Sequence, residues 1–423
     1  MKTTRFMKTA IGTGAALLVL TLAPTAVAYA SGPIKVPCSG SGGGAAGLIA
    51  AINAANGGGG GIINLAPRCS YALSSADNGD PTTTGANGLP VITSQINING
   101  NDTTIAANDT SFRVFEVDGP GGNLTLQGLT ITGGNSLFGG GILNAEGAVT
   151  LDHSRVTDNT GQMGGGGIAS GVVNPAHLGP IGTLTLNFSQ VNGNSALGGG
   201  GGGILNHAGT LTLNFSQVSG NTSAGGGGGI ASGTGNGGTA GGSTLKLFFS
   251  QVNDNTSTGG PTAGAGGIAN GGTATITLSQ VNGNAAPGSY GAGILNHGIM
   301  TINFGEVNNN TGLSGGVGGG IANVDFGVPN SGVLTVNLSQ VNNNSASAMG
   351  GGIFEAGANT DGTLTLPGGP LTLNLSQVTH NASASGGGIY TIVGSPVTLK
   401  LTLVAKNTPD NCFPHGSISD CIG

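Results

Sequence analysis

The chain has 423 residues, of which 89 are glycine, 37% are hydrophobic and only 6% are charged, with a formal net charge of −6. Glycine does not recur at every third position, which excludes a collagen triple helix, and the low charge excludes simple disorder. The acidic balance argues against nucleic acid as a partner. Weakly charged β-forming sequence aggregates unless its strands are already paired, so the composition predicts a large ordered β-sheet.

The N-terminus has the three parts of a secretory signal peptide. Basic residues at positions 2, 5 and 8 precede the apolar run AIGTGAALLVLTLAP, and Ala28-Tyr29-Ala30 provides a cleavage site. We therefore predict a signal peptide over residues 1–30 and a secreted protein, extracellular or associated with the cell surface. The apolar run is too short for a membrane span and no later stretch qualifies, so no integral membrane segment is expected after signal removal.

Four cysteines lie in two groups near the ends of the mature chain: Cys38 with Cys69, and Cys412 with Cys421. Four cysteines allow three connectivities, and the grouping favours a disulfide within each pair. Metal binding is the alternative, but no C-x-x-C motif or histidine cluster accompanies them. An even number of cysteines in an exported protein more often indicates disulfides. No cofactor or metal is predicted.

After the signal peptide, AAGLIAAINAAN at 45–56 is the one convincing helical pattern, with Leu48, Ile49 and Ile52 on one face. The segments LPVITSQININGNDTTI, FRVFEV and LTLQGLTITGG follow and have strand patterns. The first coil of a solenoid has an exposed apolar end, which a short helix lying across it would cover. Residues 31–110 are therefore expected to form an N-terminal cap and the first coils.

A repeated segment fills most of the remaining chain. Nine units, from about residue 139 to 404, each contain a GGGI element, an alternating strand such as LTLNF at 184–188, and an SQVxxN element. Apolar positions 184, 186 and 188 alternate with polar ones, the period of a half-buried strand. This alternation predicts that Phe188 and its counterpart His153 face inward. The asparagine that ends each unit is typical of an amide ladder between stacked copies.

No single unit can bury its own apolar residues, but stacked units can, each coil pairing with the next at ~4.8 Å. The repeat therefore predicts an all-β solenoid, a parallel β-helix with a short N-terminal capping helix. The solenoid is expected to span residues 111–404, and a disulfide-closed C-terminal cap is expected at 405–423.

The two ends of the mature chain resemble a known family. LIAAINAAN with GGGIINLAPRCSYAL, the strand segments after it, and the ending NTPDNCFP…C are similar to actinobacterial secreted right-handed parallel β-helix proteins of the pectin-lyase-like superfamily. The GGGI and SQVxxN elements also resemble repeats of chlamydial polymorphic outer-membrane proteins, which are adhesins. The resemblance implies a right-handed β-helix. It does not fix an activity, because this superfamily includes lyases, hydrolases, adhesins and proteins without assigned activity.

The densest polar cluster is LDHSRVTDN at 151–159. Asp152, Arg155 and Asp158 are weak catalytic candidates there, as an acid–base or sugar-binding patch. The alternative is a solvated face with one core histidine. Galacturonase-type hydrolysis needs a pair of carboxylates held close together. From residue 182 to 404 the two bases and five acids fall in different columns and coils, so the sequence does not assure such a pair.

Two surfaces are candidates for ligand binding. Outward threonines and asparagines form a lattice of the kind that binds ice or crystalline polysaccharide, although threonine is also a common exposed strand residue. Loops inserted after the GGGI strand are the second candidate, since binding concentrates in loops displayed by a rigid scaffold. The candidates on the two surfaces are Thr185, Asn187, Thr212 and Asn214, and His177, Asp325 and Asp361.

The regular scaffold and the missing acidic cluster favour a secreted, non-enzymatic binding, adhesin-like or structural factor. Its partner would be an extracellular glycan or a cell surface. The alternative is a carbohydrate-active enzyme, a polysaccharide lyase or glycoside hydrolase on the pectin-lyase-like fold. The third possibility is binding of ice or crystalline polysaccharide through the threonine and asparagine face.

Overall fold

The computed structural model describes residues 32–80, 84–108, 111–171, 182–233, 242–260, 264–327, 331–359 and 363–421. These residues form one helix, Gly44–Gly57, and 44 strands. The predicted signal peptide at 1–30 lies outside them. In the described ranges, no helix is both long enough and apolar enough to cross a membrane.

The largest sheet of the described residues has 23 strands and takes two strands from each regular coil. Neighbouring coils pair in parallel and in register, so that Leu186 lies beside Leu213 and Val191 beside Val218. The first strands of this sheet are Ile34–Val36, Gly60–Leu65, Ser70–Leu73, Gln95–Ala107 and Asn123–Thr132. The later strands, given coil by coil, are Ala148–Asp152 and Arg155–Thr157, Thr183–Asn187 and Gln190–Asn192, Thr210–Asn214 and Gln217–Ser219, Thr244–Phe248 and Gln251–Asn253, Thr273–Thr277 and Gln280–Asn282, Ile299–Asn303 and Glu306–Asn308, Val333–Asn337 and Gln340–Asn342, Leu371–Asn374 and Gln377–Thr379, and Val397–Lys400 and Leu403–Ala405.

A second parallel sheet has 11 strands in the described ranges and contains the GGGI isoleucines. Its strands are Phe115–Val117, Ile142–Asn144, Ile168–Ser170, Ile204–Asn206, Ile230–Ser232, Ile268–Asn270, Ile294–Asn296, Ile321–Asp325, Ile353–Gly357, Ile389–Thr391 and Cys412–Phe413. Three small sheets complete the coils; their strands are Asn135–Phe138, Thr160–Gly164, Ser195–Ala196, Thr222–Ser223 and Thr256–Ser257; Thr311–Gly312 and Ser345–Ala346; and Asn78–Asp80, Gly85–Asn87 and Phe112–Arg113. The chain is therefore a right-handed parallel β-helix, as predicted.

The core is a continuous column of aliphatic side chains inside the coils. In one coil Leu184, Leu186, Val191 and Ile204 are all fully buried, and the next coil repeats the arrangement. The helix covers the N-terminal end of this column and buries Leu48 and Ile52 completely. Burying apolar side chains at every coil is the main source of stability, since each fully buried aliphatic side chain contributes roughly 1.5–3 kcal/mol.

The predicted amide ladder is present. The carboxamide Nδ2 of each corner asparagine donates to Oδ1 of the asparagine one coil further on, at 2.9–3.0 Å, and the backbone N–H donates to the same oxygen. Each ladder carboxamide from Asn159 to Asn381 thus donates to a copy of itself in the next coil. The ladder joins Asn159, Asn194, Asn221, Asn255, Asn284, Asn310, Asn344, Asn381 and Asn407.

Two disulfides hold the ends of the described chain. Cys38 pairs with Cys69, and Cys412 pairs with Cys421. This is the pairing that the positions of the four cysteines favour.

The predicted orientation of Phe188 and His153 is wrong. Phe188 is 54% exposed, and the side chain of His153 is 65% exposed. Alternation between the two faces holds only while the backbone stays extended. Both residues instead have a positive φ, 49° and 47°, at the end of their strands. This conformation turns the chain and points the side chain outward.

A second column of buried polar side chains follows the GGGI isoleucines. Most members are asparagine or serine, but Glu355 stands in the column next to Asn323 and is fully buried. Asn323 Nδ2 donates to Glu355 Oε2 at 2.8 Å, whereas Oε1 has no partner among the described residues. Burial raises the pKa of the Glu355 carboxyl well above its usual value, and the nearby Asp325 raises it further.

We predict that Val218→Asp lowers the free energy of unfolding by at least ~3 kcal/mol, because it places an unpaired carboxylate among stacked valines. Thr212→Asp is the matched control, because Thr212 points outward beside Lys246 and its replacement should change stability by less than ~0.5 kcal/mol. Urea unfolding of both variants is the measurement. Equal stabilities would show that the register of this strand is misassigned.

We predict that Glu355→Gln flattens the pH dependence of stability. The folded protein keeps the Glu355 proton to a higher pH than the unfolded chain, whose carboxyl titrates near 4.5. Stability is therefore fully present below that pH and falls as the pH rises through the raised pKa of the folded state. Glutamine cannot ionise and still accepts from Asn323. Unfolding curves recorded over this pH range should differ between the two proteins above pH 4.5; parallel curves would contradict the assignment.

Candidate active site

A single left-handed residue forms the bend of the large sheet in each coil, between two strands in the regular coils and inside one long strand at Asp102 and Gly128. These residues stack into a column along the molecule, which we call the bend column. A left-handed conformation costs an L-residue about 1–2 kcal/mol, so bulky side chains at such positions indicate a role beyond folding. The bend column consists of Arg68, Asp102, Gly128, His153, Phe188, Phe215, Phe249, Leu278, Phe304, Leu338, Leu375 and Leu401.

In most of the regular coils a buried serine hydroxyl after the bend holds the conformation. The Ser189 backbone N–H donates to Ser216 Oγ in the next coil at 3.0 Å, and Ser154 donates to Ser189 in the same way. Ser189 Oγ itself donates to the Asn187 carbonyl at 2.8 Å, across the bend. The serine therefore fixes the turn from inside, and the residue before it is held outside.

Four rings of the bend column stack on one another. The ring centroids of His153 and Phe188 are 5.0 Å apart, and those of Phe188–Phe215 and Phe215–Phe249 are 5.1 Å apart, with planes inclined by 17° or less. This spacing exceeds the ~3.5–4.0 Å of direct carbon contact, so the rings do not cover one another completely. Each phenylalanine stays about half exposed. Phe248 packs edge-on against the last two rings.

A depression of about 130 Å³ lies at the polar end of this ring ladder. Gly128 has no side chain, which leaves a gap in the bend column between Asp102 in the preceding coil and His153 in the following one. The backbones of Asp102 and His153 are two coils apart, or ~10 Å. The lining residues are Asp102, Gly128, Leu129, Thr130, His153, Ser154, Arg155, Phe188 and Gln190.

Asp152 orients the imidazole of His153. Nδ1 of His153 lies 2.7 Å from Asp152 Oδ1. An ionised carboxylate only accepts hydrogen bonds, so Nδ1 donates and Nε2 is the nitrogen that exchanges protons with a ligand. Arg155 lies two residues further on and donates from Nε to Gln190 Oε1 at 2.9 Å. Its remaining guanidinium donors have no partner among the described residues.

A second depression, of about 210 Å³, continues along the ring ladder. It shares Phe188 and Gln190 with the first, so the two form one groove along several coils. One side is the ring ladder and the other is a column of glutamines. The lining residues are Phe188, Ser189, Gln190, Phe215, Ser216, Gln217, Phe249 and Gln251.

The structure separates the three catalytic candidates named from the sequence. Arg155 lines the depression, and Asp152 contacts His153 at its edge. Asp158 lies beyond the other end of the strand Arg155–Thr157, where it accepts from Thr157 Oγ1 at 3.0 Å. Asp158 is not among the residues that line the depression.

The binding candidates named from the sequence lie elsewhere. Asn214 Nδ2 donates to Asn187 Oδ1 at 2.9 Å, so these side chains are hydrogen-bonded to each other. Thr185 and Thr212 are adjacent on the outer sheet face. Asp325 accepts from Gly327 N and Ser331 Oγ and closes its own loop. His177 and Asp361 lie outside the described residues.

Sequence reasoning missed Asp102, the outward position of His153, and the phenylalanine and glutamine columns. The available signal was the sequence N-[FL]-S-Q-V, in which a bulky apolar residue precedes the serine in coil after coil. A metal centre is not evident in the described ranges, where no three histidine, cysteine, aspartate or glutamate side chains are close enough to bind an ion.

No family model matches the chain, and no curated protein matches it in sequence. A solved structure, the A-module of mannuronan C-5 epimerase AlgE6 from Azotobacter vinelandii, is similar with a TM-score of 0.49 and 14% identity, over 85% of this chain and 95% of that one. The similarity concerns the parallel β-helix. The narrower resemblances to actinobacterial and chlamydial proteins stay predictions.

The expectation of a non-enzymatic binding, adhesin-like or structural factor is corrected by these findings. The similar solved structure is a module of a carbohydrate-active enzyme, in line with the alternative expectation. Since that likeness concerns the fold alone, the case for an activity depends on the groove and its residues.

We predict that Phe215→Gly lowers the free energy of unfolding by less than ~3 kcal/mol. Glycine removes the cost of the left-handed conformation, about 1–2 kcal/mol, which offsets part of the loss of three ring contacts, about 0.5–1.5 kcal/mol per pair. Val218→Gly, at a fully buried position in the same coil, should lose more. Urea unfolding is the measurement. A loss of more than ~3 kcal/mol in Phe215→Gly would assign the rings to folding rather than to binding.

Proposed function

We propose that the protein is a carbohydrate-active enzyme that cleaves glycosidic bonds by acid–base catalysis in the depression between Asp102 and His153. The observation that supports this proposal most is the composition of that depression. It brings together a carboxylate, an imidazole held by a second carboxylate, and a guanidinium, beside an exposed ring.

The two sides of the depression are suited to opposite steps of proton transfer. Asp102 is placed to accept a proton as general base. His153 gives a proton from Nε2 to the oxygen of the departing sugar, and Asp152 stabilises the imidazolium from which that proton comes. The ~10 Å between the two backbones leaves room for the reacting sugar between the side chains. Arg155 binds sugar oxygens through its free donors.

We further propose that the enzyme is exported and works outside the cell. The two disulfides support this, because such bonds persist in oxidising compartments. The signal peptide at 1–30, an N-terminal cap and first coils at 31–110, the solenoid at 111–404 and the C-terminal cap at 405–423 belong to the same proposal.

We predict that Asp102→Asn and His153→Asn each lower the rate of glycan cleavage by about 100-fold or more, because general acid–base catalysis contributes ~10²–10⁴-fold. Release of reducing ends from a panel of polysaccharides is the measurement. Asp158→Asn is the matched control, an exposed carboxylate outside the depression, and should keep full activity. The proposal would be overturned if the parent protein released no product from any polysaccharide of the panel. It would also be overturned if Asp158→Asn were as impaired as Asp102→Asn.

A further inference from the structure

We propose that the groove from Phe188 to Gln251 is a track for an uncharged polysaccharide, which it holds parallel to the long axis of the solenoid with one sugar residue per coil. This inference rests on the proposed function, and it names the substrate class and the direction in which the substrate lies.

The repeat of the groove is suited to a glycan. Its ring centroids recur every 5.0–5.1 Å because the coils do. An extended chain of equatorially linked pyranose rings advances by nearly the same length per residue, so each sugar meets the same surroundings as the one before it. A chain lying across the coils would meet one ring only.

The two sides of the groove match the two kinds of sugar surface. The half-exposed rings of Phe188, Phe215 and Phe249 present apolar area to the C–H faces of the sugars. The opposite side has a glutamine in each coil. Gln217 makes no side-chain hydrogen bond to a described residue. Gln190 and Gln251 use only Oε1, which leaves their NH₂ groups free for sugar hydroxyls.

The charge of the groove selects an uncharged polymer. Its lining from Phe188 to Gln251 is phenylalanine, serine and glutamine, with no charged side chain, on a chain of net charge −6. A polyuronate would place a carboxylate on each of the phenylalanine coils, where no cation lines the groove, and desolvating an unpaired charge is costly. Nucleic acid would also stack on the rings, but it brings a phosphate per residue.

An uncharged substrate also fixes the reaction. Elimination removes a proton made acidic by a neighbouring carboxylate, and a neutral sugar lacks that group. The reaction is therefore hydrolysis. Asp102 takes a proton from water as the water oxygen bonds to the anomeric carbon, and His153 protonates the leaving oxygen as the glycosidic bond breaks.

The ring ladder sets the length of the track. It ends where Leu278 follows Phe249 in the bend column, and only Phe304 interrupts the aliphatic residues beyond. The depression and the three coils that contribute Phe188, Phe215 and Phe249 give positions for about four sugars in the groove. Longer oligosaccharides gain nothing further from stacking.

The test uses calorimetric titration of the Asp102→Asn variant of the full chain, in which cleavage is slowed by about 100-fold or more. The probes are neutral oligosaccharides of two to six residues derived from cellulose, xylan, mannan and laminarin, with oligogalacturonates, oligomannuronates and single-stranded DNA as comparisons. At least one neutral series should bind with affinity that rises several-fold per residue up to about four residues and is then flat.

Two pairs of variants in this background locate the ligand. Gln217→Ala should weaken binding of a tetrasaccharide about five-fold, because one hydrogen bond is lost. Gln340→Ala, which changes the glutamine beside Leu338 in the same column, should not weaken it. Phe215→Ala should weaken binding about ten-fold, and Leu338→Ala should not. Preference for the uronates or DNA, no binding of any neutral series, or equal effects within each pair would overturn the track. Binding as expected with no cleavage by the parent protein would instead overturn the proposed function and leave the track in place.

Discussion

The structure depends on the requirement that each coil lie in register on the next. The corner asparagines show why: each ladder carboxamide donates to the same group one coil away, and the backbone N–H of the same residue donates to the same oxygen. The serine that follows the bend in most of the regular coils obeys the same rule. A shift of one residue would leave a row of buried donors and acceptors without partners, at a cost of about 1–3 kcal/mol for each. Register is therefore fixed along the whole solenoid, and every bend falls above the previous one.

Because the register is fixed, the residues at the bends of successive coils form one continuous row on the surface of the molecule. Because the serine fixes the turn from inside, the residue before it must be left-handed and point outward. Glycine would be least costly there, yet eight successive positions from Phe188 to Leu401 are phenylalanine or leucine. An exposed apolar row of this length is uncommon on a soluble protein and marks an interaction site.

The fold could be predicted from the sequence because its determinants repeat. The valine column, the asparagine column and the alternation of 184–186 each recur often enough to outweigh local irregularity. The bend column was misjudged because periodicity assumes an extended backbone, and the sign of φ at Phe188 is not visible in the order of apolar and polar residues. Asp102 was missed for another reason. It belongs to an early coil without a GGGI element, so no alignment of repeats could relate it to His153. Two successive strand pairings, Gln95–Ala107 with Asn123–Thr132 and Asn123–Thr132 with Ala148–Asp152, place the two residues on either side of Gly128.

The same requirement explains where chemistry occurs on such a scaffold. Stacking favours identical residues in successive coils. A row of identical side chains makes a uniform binding surface, but it cannot place an acid opposite a base as a catalytic site requires. Unlike residues can stand next to one another only where the repeat is irregular. Asp102, Gly128 and His153 occupy consecutive places in the bend column at the point where the early coils pass into the regular ones. The polar depression therefore lies at the end of the ring ladder rather than along it, and the regular coils beyond extend the surface that holds the substrate.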